Sequence, residues 1–181
     1  GNASYYYSLT RLLAEGRLRV GGETHTVTGT AWLDREWSTS ALAAGQVGWD
    51  WFALQLSDGW DLMIYRLREA DGGAAPESVG VLVDPAGGKL ALAWGEDVVV
   101  EPTDTWSSPI DGAAYPSGWR IQVPERGWDL RVEPRIPDQE LDVSFRYWEG
   151  AVAVRGTGER GESVTGRGYV ELTGYAGEMP E

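Results

Sequence analysis

Gly48-Trp49-Asp50-Trp51-Phe52-Ala53-Leu54-Gln55-Leu56 runs into Ser57-Asp58-Gly59, and the chain resumes as Trp60-Asp61-Leu62-Met63-Ile64-Tyr65-Arg66-Leu67-Arg68. Two runs rich in aromatic and branched residues flank an Asp-Gly pair. That pattern predicts an antiparallel hairpin with strands over 48–56 and 61–68. The same punctuation recurs along the chain. Gly21-Gly22, Asp71-Gly72-Gly73, the segment from Pro85 to Gly88, Asp111-Gly112 and the segment from Gly158 to Gly161 mark further turns. Between them, strands are predicted over 5–13, 17–20, 24–37, 79–83, 90–94, 98–103, 118–123, 130–134, 145–155 and 163–175. Helical periodicity is weak; the best helix candidate is the short Ala-rich stretch from Thr39 to Gly45. Leu9 to Glu15 could also be helical, but Tyr5 to Tyr7 just before it favours a strand.

About a dozen strands in one domain-sized chain predict an all-β antiparallel sandwich or barrel with little helix. The strands are long and carry internal glycines at 29, 150, 156, 166 and 168, which suits the crowded bends of a barrel. Nothing splits the 181 residues, so a single domain over 1–181 is expected, with residues 1–4 a tag or linker remnant. Gly-Trp-Asp recurs at 48–50, 59–61 and 127–129 without a fixed period, as a local hairpin device rather than a repeat.

Composition excludes several functions. The net charge is −13, which argues against nucleic acid and against an anionic membrane surface. There is no Cys, and His25 is the one His, so thiolate chemistry and Cys or multi-His metal sites are excluded. A Ser-His-Asp triad is disfavoured for the same reason. His25 beside a Gly-Gly turn reads as an exposed hairpin residue. No apolar run reaches the roughly 18 residues of a membrane span. The chain has 10 Trp and 8 Tyr but only 2 Phe. Aromatic rings with a polar tip suit a half-wet site, and ordinary core packing is the plain alternative.

Alternation places the candidate site residues. Trp32, Asp34 and Glu36 share one strand face. Two carboxylates two positions apart raise each other's pKa if buried, which makes a general acid; strand-end ion pairing is the plain alternative. Tyr147 and Glu149 share a face, as do Arg167, Tyr169 and Glu171, and Arg66 lies with Arg68 and Ile64. Turned inward, Arg66, Arg167, Glu149, Glu171 and Tyr169 would form a polar network round a ligand; turned outward, a solvated face. Asp138-Gln139-Glu140 reads as a turn. Pro109 to Trp119, with Tyr115, reads as an ordered aromatic loop, a lid or a cap over a barrel mouth.

Six segments, in order from near residue 5 to residue 175, resemble one family: 5–12 (YYYSLTRL), 28–38 (TGTAWLDREWS), 48–52 (GWDWF), 62–68 (LMIYRLR), 147–152 (YWEGAV) and 166–175 (GRGYVELTGY). The family is the lipocalin-like one that includes AttH and the carotenoid 1,2-hydratases (hydroxyneurosporene synthases). The resemblance implies a lipocalin-like (calycin) β-barrel. It also implies that this chain is the C-terminal half of a two-barrel protein, with an N-terminal barrel as partner. It implies an apolar ligand of lipid or isoprenoid type, or cofactor-free hydration or cyclisation of an apolar alkene. An exported or membrane-associated location is the direction in which the family leans. The hydratases' acid constellation does not align with this chain, so no catalytic residue is carried over.

Protonating an isolated alkene needs a strong acid and shelter for a tertiary cation. A buried carboxylic acid supplies the first and a Trp face the second. Asp34 and Glu36 are the candidates for acid and base, with Trp32, Trp51 and Tyr65 about them. Arg66, Tyr115, Tyr147, Glu149, Arg167, Tyr169 and Glu171 are candidate ligand contacts. A structural half with no ligand is the third reading.

Overall fold

The computed structural model describes residues 4–38 and 42–177. It contains fourteen strands: β1 (Ser4–Val20), β2 (Glu23–Ser38), β3 (Gln46–Leu56), β4 (Asp61–Glu69), β5 (Val79–Val83), β6 (Lys89–Ala93), β7 (Val99–Pro102), β8 (Thr105–Ser107), β9 (Ala114–Pro116), β10 (Trp119–Val123), β11 (Trp128–Pro134), β12 (Glu140–Asp142), β13 (Arg146–Thr157) and β14 (Ser163–Leu172). Among the described residues the helical content is one 3₁₀ turn, Pro124–Arg126, closed by Gly127 at φ 64°. No helix among them is long and apolar enough to cross a membrane. The all-β expectation holds.

The chain falls into two compact units, residues 1–41 and 42–181. The first is a long hairpin. β1 pairs antiparallel with β2 from Ser4↔Ser38 to Val20↔Glu23, with an irregularity between Leu9 and Leu12. The predicted strands over 5–13 and 17–20 are therefore one strand. Gly16, between the two predicted strands, continues the ladder opposite Val27. Leu9 to Glu15 is strand, as Tyr5 to Tyr7 indicated. His25 lies beside the Gly21-Gly22 turn, its side chain half exposed.

The second unit is a curled antiparallel sheet in the order β6-β5-β4-β3-β14-β13-β11-β10-β7, with β12 added beside β13. Of the helix predicted from Thr39 to Gly45, residues 39–41 lie outside those described. Leu42 to Gly45 is not helical. Gly45 sits at φ +91°, and so short a segment cannot repay helix nucleation. Residues 1–3 of the expected N-terminal remnant also lie outside the described residues.

Curling is visible in its contacts. Phe52 on β3 meets Trp119 on β10, four strands along the sheet, edge to face at 5.4 Å between ring centres. One face of the sheet thereby becomes an enclosed core. Phe52, Leu54, Leu56, Leu62, Ile64, Leu82, Trp119, Ile121, Leu130, Trp148, Val170 and Leu172 lie there, each at most 2% exposed. Glycine makes the curl possible where β14 crosses β3. A Cβ on Gly168 would stand 2.0 Å from the Ala53 carbonyl oxygen. The interior is filled by side chains, as in small barrels.

The expected lid is a small hairpin of its own. β8 pairs with β9 through Trp106↔Tyr115, and Tyr115 is fully buried in the core cluster. Residues 109–119 thus cap the core.

Candidate functional site

Two polar groupings stand out in the second unit, one on each face of the sheet. The enclosed face ends in ionised side chains. Alternation along β3 puts Asp50 in line with Phe52 and Leu54, and Asp50 is 5% exposed. Opposite it on β4 stands Arg66, two residues before Arg68. Arg66 Nη1 lies 3.3 Å from Asp50 Oδ2, and Arg68 Nε 3.2 Å from Oδ1. The Tyr175 hydroxyl donates to Asp50 Oδ1 at 2.8 Å. Arg68 also donates to the Thr173 carbonyl and lies over the Tyr175 ring, 3.8 Å from its centre. The network therefore straps the segment after β14 onto β3 and β4. Gly174 makes this path possible. It sits at φ +69°, where a Cβ would stand 1.9 Å from the Val47 carbonyl oxygen.

A second knot adjoins the first. Glu140 accepts from the Ser108 hydroxyl at 2.5 Å and from the Tyr115 hydroxyl at 2.9 Å. Arg146 stands 3.7 Å away, and the Glu140 side chain is almost wholly buried. The Tyr115 and Tyr175 rings meet at 5.5 Å, which links the two knots. Glu140 begins β12 and acts as a buried acceptor, a role that reading 138–140 as a plain turn did not foresee.

Burial pushes the Asp50 carboxyl above its ordinary value, against Arg68, the Tyr175 hydroxyl and Arg66, which all favour its charge. Burial also raises both phenols, reinforced by Asp50 at Tyr175 and by Glu140 at Tyr115. The folded chain therefore holds these two phenolic protons more tightly than the unfolded chain, which releases them near pH 10. The sign follows: their contribution is complete below pH 10 and is lost above it. Stability by urea titration is expected to fall steadily above about pH 10, with a shallower fall in Tyr175→Phe. An identical slope in that variant would remove Tyr175 from the account.

The opposite face holds most of the predicted ligand contacts. Glu149 on β13, Glu171 on β14, Trp51 on β3 and Tyr65 on β4 are successive cross-strand partners, a row across four strands. All four are half-buried. Tyr147, two residues before Glu149, hydrogen-bonds to it, and burial with the nearby Glu149 and Glu171 raises the phenol. The next row is Ala151, Tyr169, Ala53 and Met63, and the one after includes Arg167 opposite Gln55. Ala53 and Met63 are buried, whereas Tyr169 is 49% exposed. Small alanines thus form a floor between Trp51 and Tyr65 on one side and the Arg167 row on the other.

The predicted set is therefore divided. Trp51, Tyr65, Tyr147, Glu149, Arg167, Tyr169 and Glu171 share the outer face. Arg66 and Tyr115 belong to the enclosed face, so Arg66 does not join Arg167, Glu149, Glu171 and Tyr169 in one network. Trp32, Asp34 and Glu36 lie on the hairpin unit, on one face as expected. Asp34 accepts from the Tyr6 hydroxyl and, at 2.8 Å, from Ser8; Glu36 accepts from Ser4 at 2.5 Å. Both carboxylates are exposed. Cross-strand hydroxyls satisfy them, as the plain alternative of a fixed strand end would have it, with Ser and Tyr in place of Arg. An open groove of about 610 Å³ between residues 74–79 and 91–97 contains none of the candidate residues.

Residues 1–175 match the family model described as AttH-like. The chain belongs to the AttH family. The Nitrosomonas europaea protein assigned to AttH has a crystal structure that matches 96% of this chain at 38% identity, with a TM-score of 0.82. Kievitone hydratase from Nectria haematococca matches 96% of it at 22% identity, with a TM-score of 0.75. This AttH-family chain therefore has the lipocalin-like fold that the resemblance implied. It covers 52% and 53% of those two chains, about half their length. No curated protein sequence matches it.

Proposed function

We propose that this AttH-family chain is the C-terminal lipocalin-like half of a two-barrel protein. Its function is to hold an apolar small molecule of lipid or isoprenoid type against the outer face of the sheet. The observation that carries this reading is the row Glu149, Glu171, Trp51, Tyr65. Like charges directly opposite on antiparallel strands destabilise a sheet. A chain that keeps two carboxylates facing each other, half-buried beside Trp and Tyr, keeps them for something other than stability. Half-buried Trp51 and Tyr65 and the more exposed Tyr169 offer an apolar molecule ring faces. The filled interior supports a site on the face rather than inside.

The same pair supports a second reading, a cofactor-independent hydratase. One carboxylate, protonated, would protonate the alkene carbon; Trp51 would shelter the tertiary cation; the other carboxylate would take the proton of the incoming water. The fold shared with a hydratase supports this reading. Asp34 and Glu36 on the hairpin are the rival acid and base.

Native mass spectrometry of the purified chain, then denaturation, tests binding. An apolar molecule is expected in the released fraction, or uptake of an added apolar fluorophore by the empty chain. Trp51→Ala with Tyr169→Ala is expected to weaken uptake about tenfold, near 1.4 kcal/mol. An empty chain that takes up no fluorophore would leave the structural half without a ligand. For hydration, a mass gain of one water on the identified molecule is the signal. Glu149→Gln with Glu171→Gln is expected to abolish it; loss only in Asp34→Asn with Glu36→Gln would move the chemistry to the hairpin.

A further inference from the structure

A groove of about 610 Å³ lies where residues 74–79, leading into β5, stand beside β6 and the turn after it. All of its lining, residues 74–79, 91–94 and 97, belongs to the unit of residues 42–181, so the concavity is that unit's own. Its volume suits a small molecule. Much of the wall is apolar: Val79, Leu92 and Trp94 line it together with four alanines. The charged side chains in the lining are Glu77 and Asp97, both acidic. Asp97 is fixed against β6, since its Oδ2 accepts from the Ala93 N–H at 2.8 Å. Arg66 lies over the Trp94 ring, 5.6 Å from its centre, but its donors are committed elsewhere. Its Nη1 meets Asp50 at 3.3 Å, and its Nη2 donates to the Gly72 carbonyl at 2.9 Å.

We propose that this groove binds a small organic amine, its ammonium at Glu77 and Asp97 and its apolar body along Val79, Leu92 and Trp94. Charge complementarity selects the class. An ammonium brings three donors and no acceptor, which suits a pair of carboxylates. A carboxylate or phosphate ligand would meet two like charges, with no cation among the lining residues to offset them. A neutral apolar molecule would take water from the two carboxylates and give nothing back. The charge of the whole unit acts in the same sense. Residues 1–41 carry four Arg and four carboxylates, so the net −13 lies in residues 42–181. That field draws cations in and turns anions away. The groove is separate from the face proposed above for an apolar molecule: Glu149 and Glu171 lie on β13 and β14, beyond β4 and β3 in the sheet order.

Three probes with one apolar body and different heads test this: phenylbutylammonium, phenylbutanol and phenylbutanoate. Their binding is measured by ligand-observed magnetic resonance up to about 10 mM. The ammonium is expected to bind at least about tenfold more tightly than the alcohol, because its hydrogen bonds to carboxylates are charge-assisted. The carboxylate probe is expected to bind least, and added salt to narrow the difference. Glu77→Gln with Asp97→Asn is expected to bring the ammonium down to the level of the alcohol. Asn at 97 keeps an oxygen for the Ala93 N–H, and near-ultraviolet dichroism of the core tryptophans verifies that the variant is folded. Glu149→Gln with Glu171→Gln is expected to leave the preference unchanged. Equal binding of ammonium and alcohol overturns the proposal, as does binding of no probe. So does a preference that survives Glu77→Gln with Asp97→Asn, or one that Glu149→Gln with Glu171→Gln removes.

Discussion

Replacing Asp50 with Ala is expected to cost about 3–5 kcal/mol of folding stability, measured as the shift of a urea unfolding curve. The cause is what remains. Asp50 is 5% exposed and is the carboxylate that both Arg66 and Arg68 contact. Without it, two guanidiniums face each other beside the Phe52 and Leu54 side of the core, and the Tyr175 hydroxyl loses its acceptor. Arg68→Met is expected to cost less, because Arg66 still pairs with Asp50. Replacing all three, as Asp50→Leu with Arg66→Met and Arg68→Met, is expected to recover much of the loss, since apolar substitutes for a buried ionic group avoid its desolvation. A single Asp50→Ala variant within 1 kcal/mol of the parent would show that water reaches the cluster.

Trp148→Ala is expected to cost a further large amount in its own right, about 3–5 kcal/mol. Trp148 is 1% exposed on β13, packs 6.3 Å from Trp119 between ring centres, and donates its indole N–H to the Pro137 carbonyl at 2.9 Å. Truncation removes the ring contacts, opens a cavity in the enclosed face and leaves that carbonyl without its donor. The melting temperature is expected to fall by roughly 6–20 °C for a chain of this size. Trp37→Ala is the comparison. Its ring lies half exposed on the hairpin, and its loss is expected to move the melting temperature little.

The outer face was legible in the sequence as a set of residues. Alternation grouped Tyr147 with Glu149, and Arg167 with Tyr169 and Glu171, because the strand period is two and a one-residue offset changes the face. It could not align one strand with another. The row Glu149, Glu171, Trp51, Tyr65 exists because β14 sits between β13 and β3, which are distant in sequence. For the same reason Arg66 could not be parted from Arg167 by reading each strand alone. Asp50 was passed over although it stands inside the aromatic hairpin. The signal was its even-numbered place with Phe52 and Leu54, opposite the parity of Trp51. Glu140 left no such trace, since its burial comes from Tyr115 on a separate hairpin.

Sequence by itself determined that this is an all-β, acidic, Cys-free chain. Those properties follow from local turn chemistry, a period of two and composition, none of which needs a distant partner. Only the tertiary structure decided which face of each strand became core. It also decided that the interior is filled by Phe52, Trp119 and Trp148, and that Asp34 and Glu36 stand exposed on a ribbon. The physical reason is that burial depends on curling and strand order, which bring together residues a hundred or more positions apart, such as Asp50 and Tyr175.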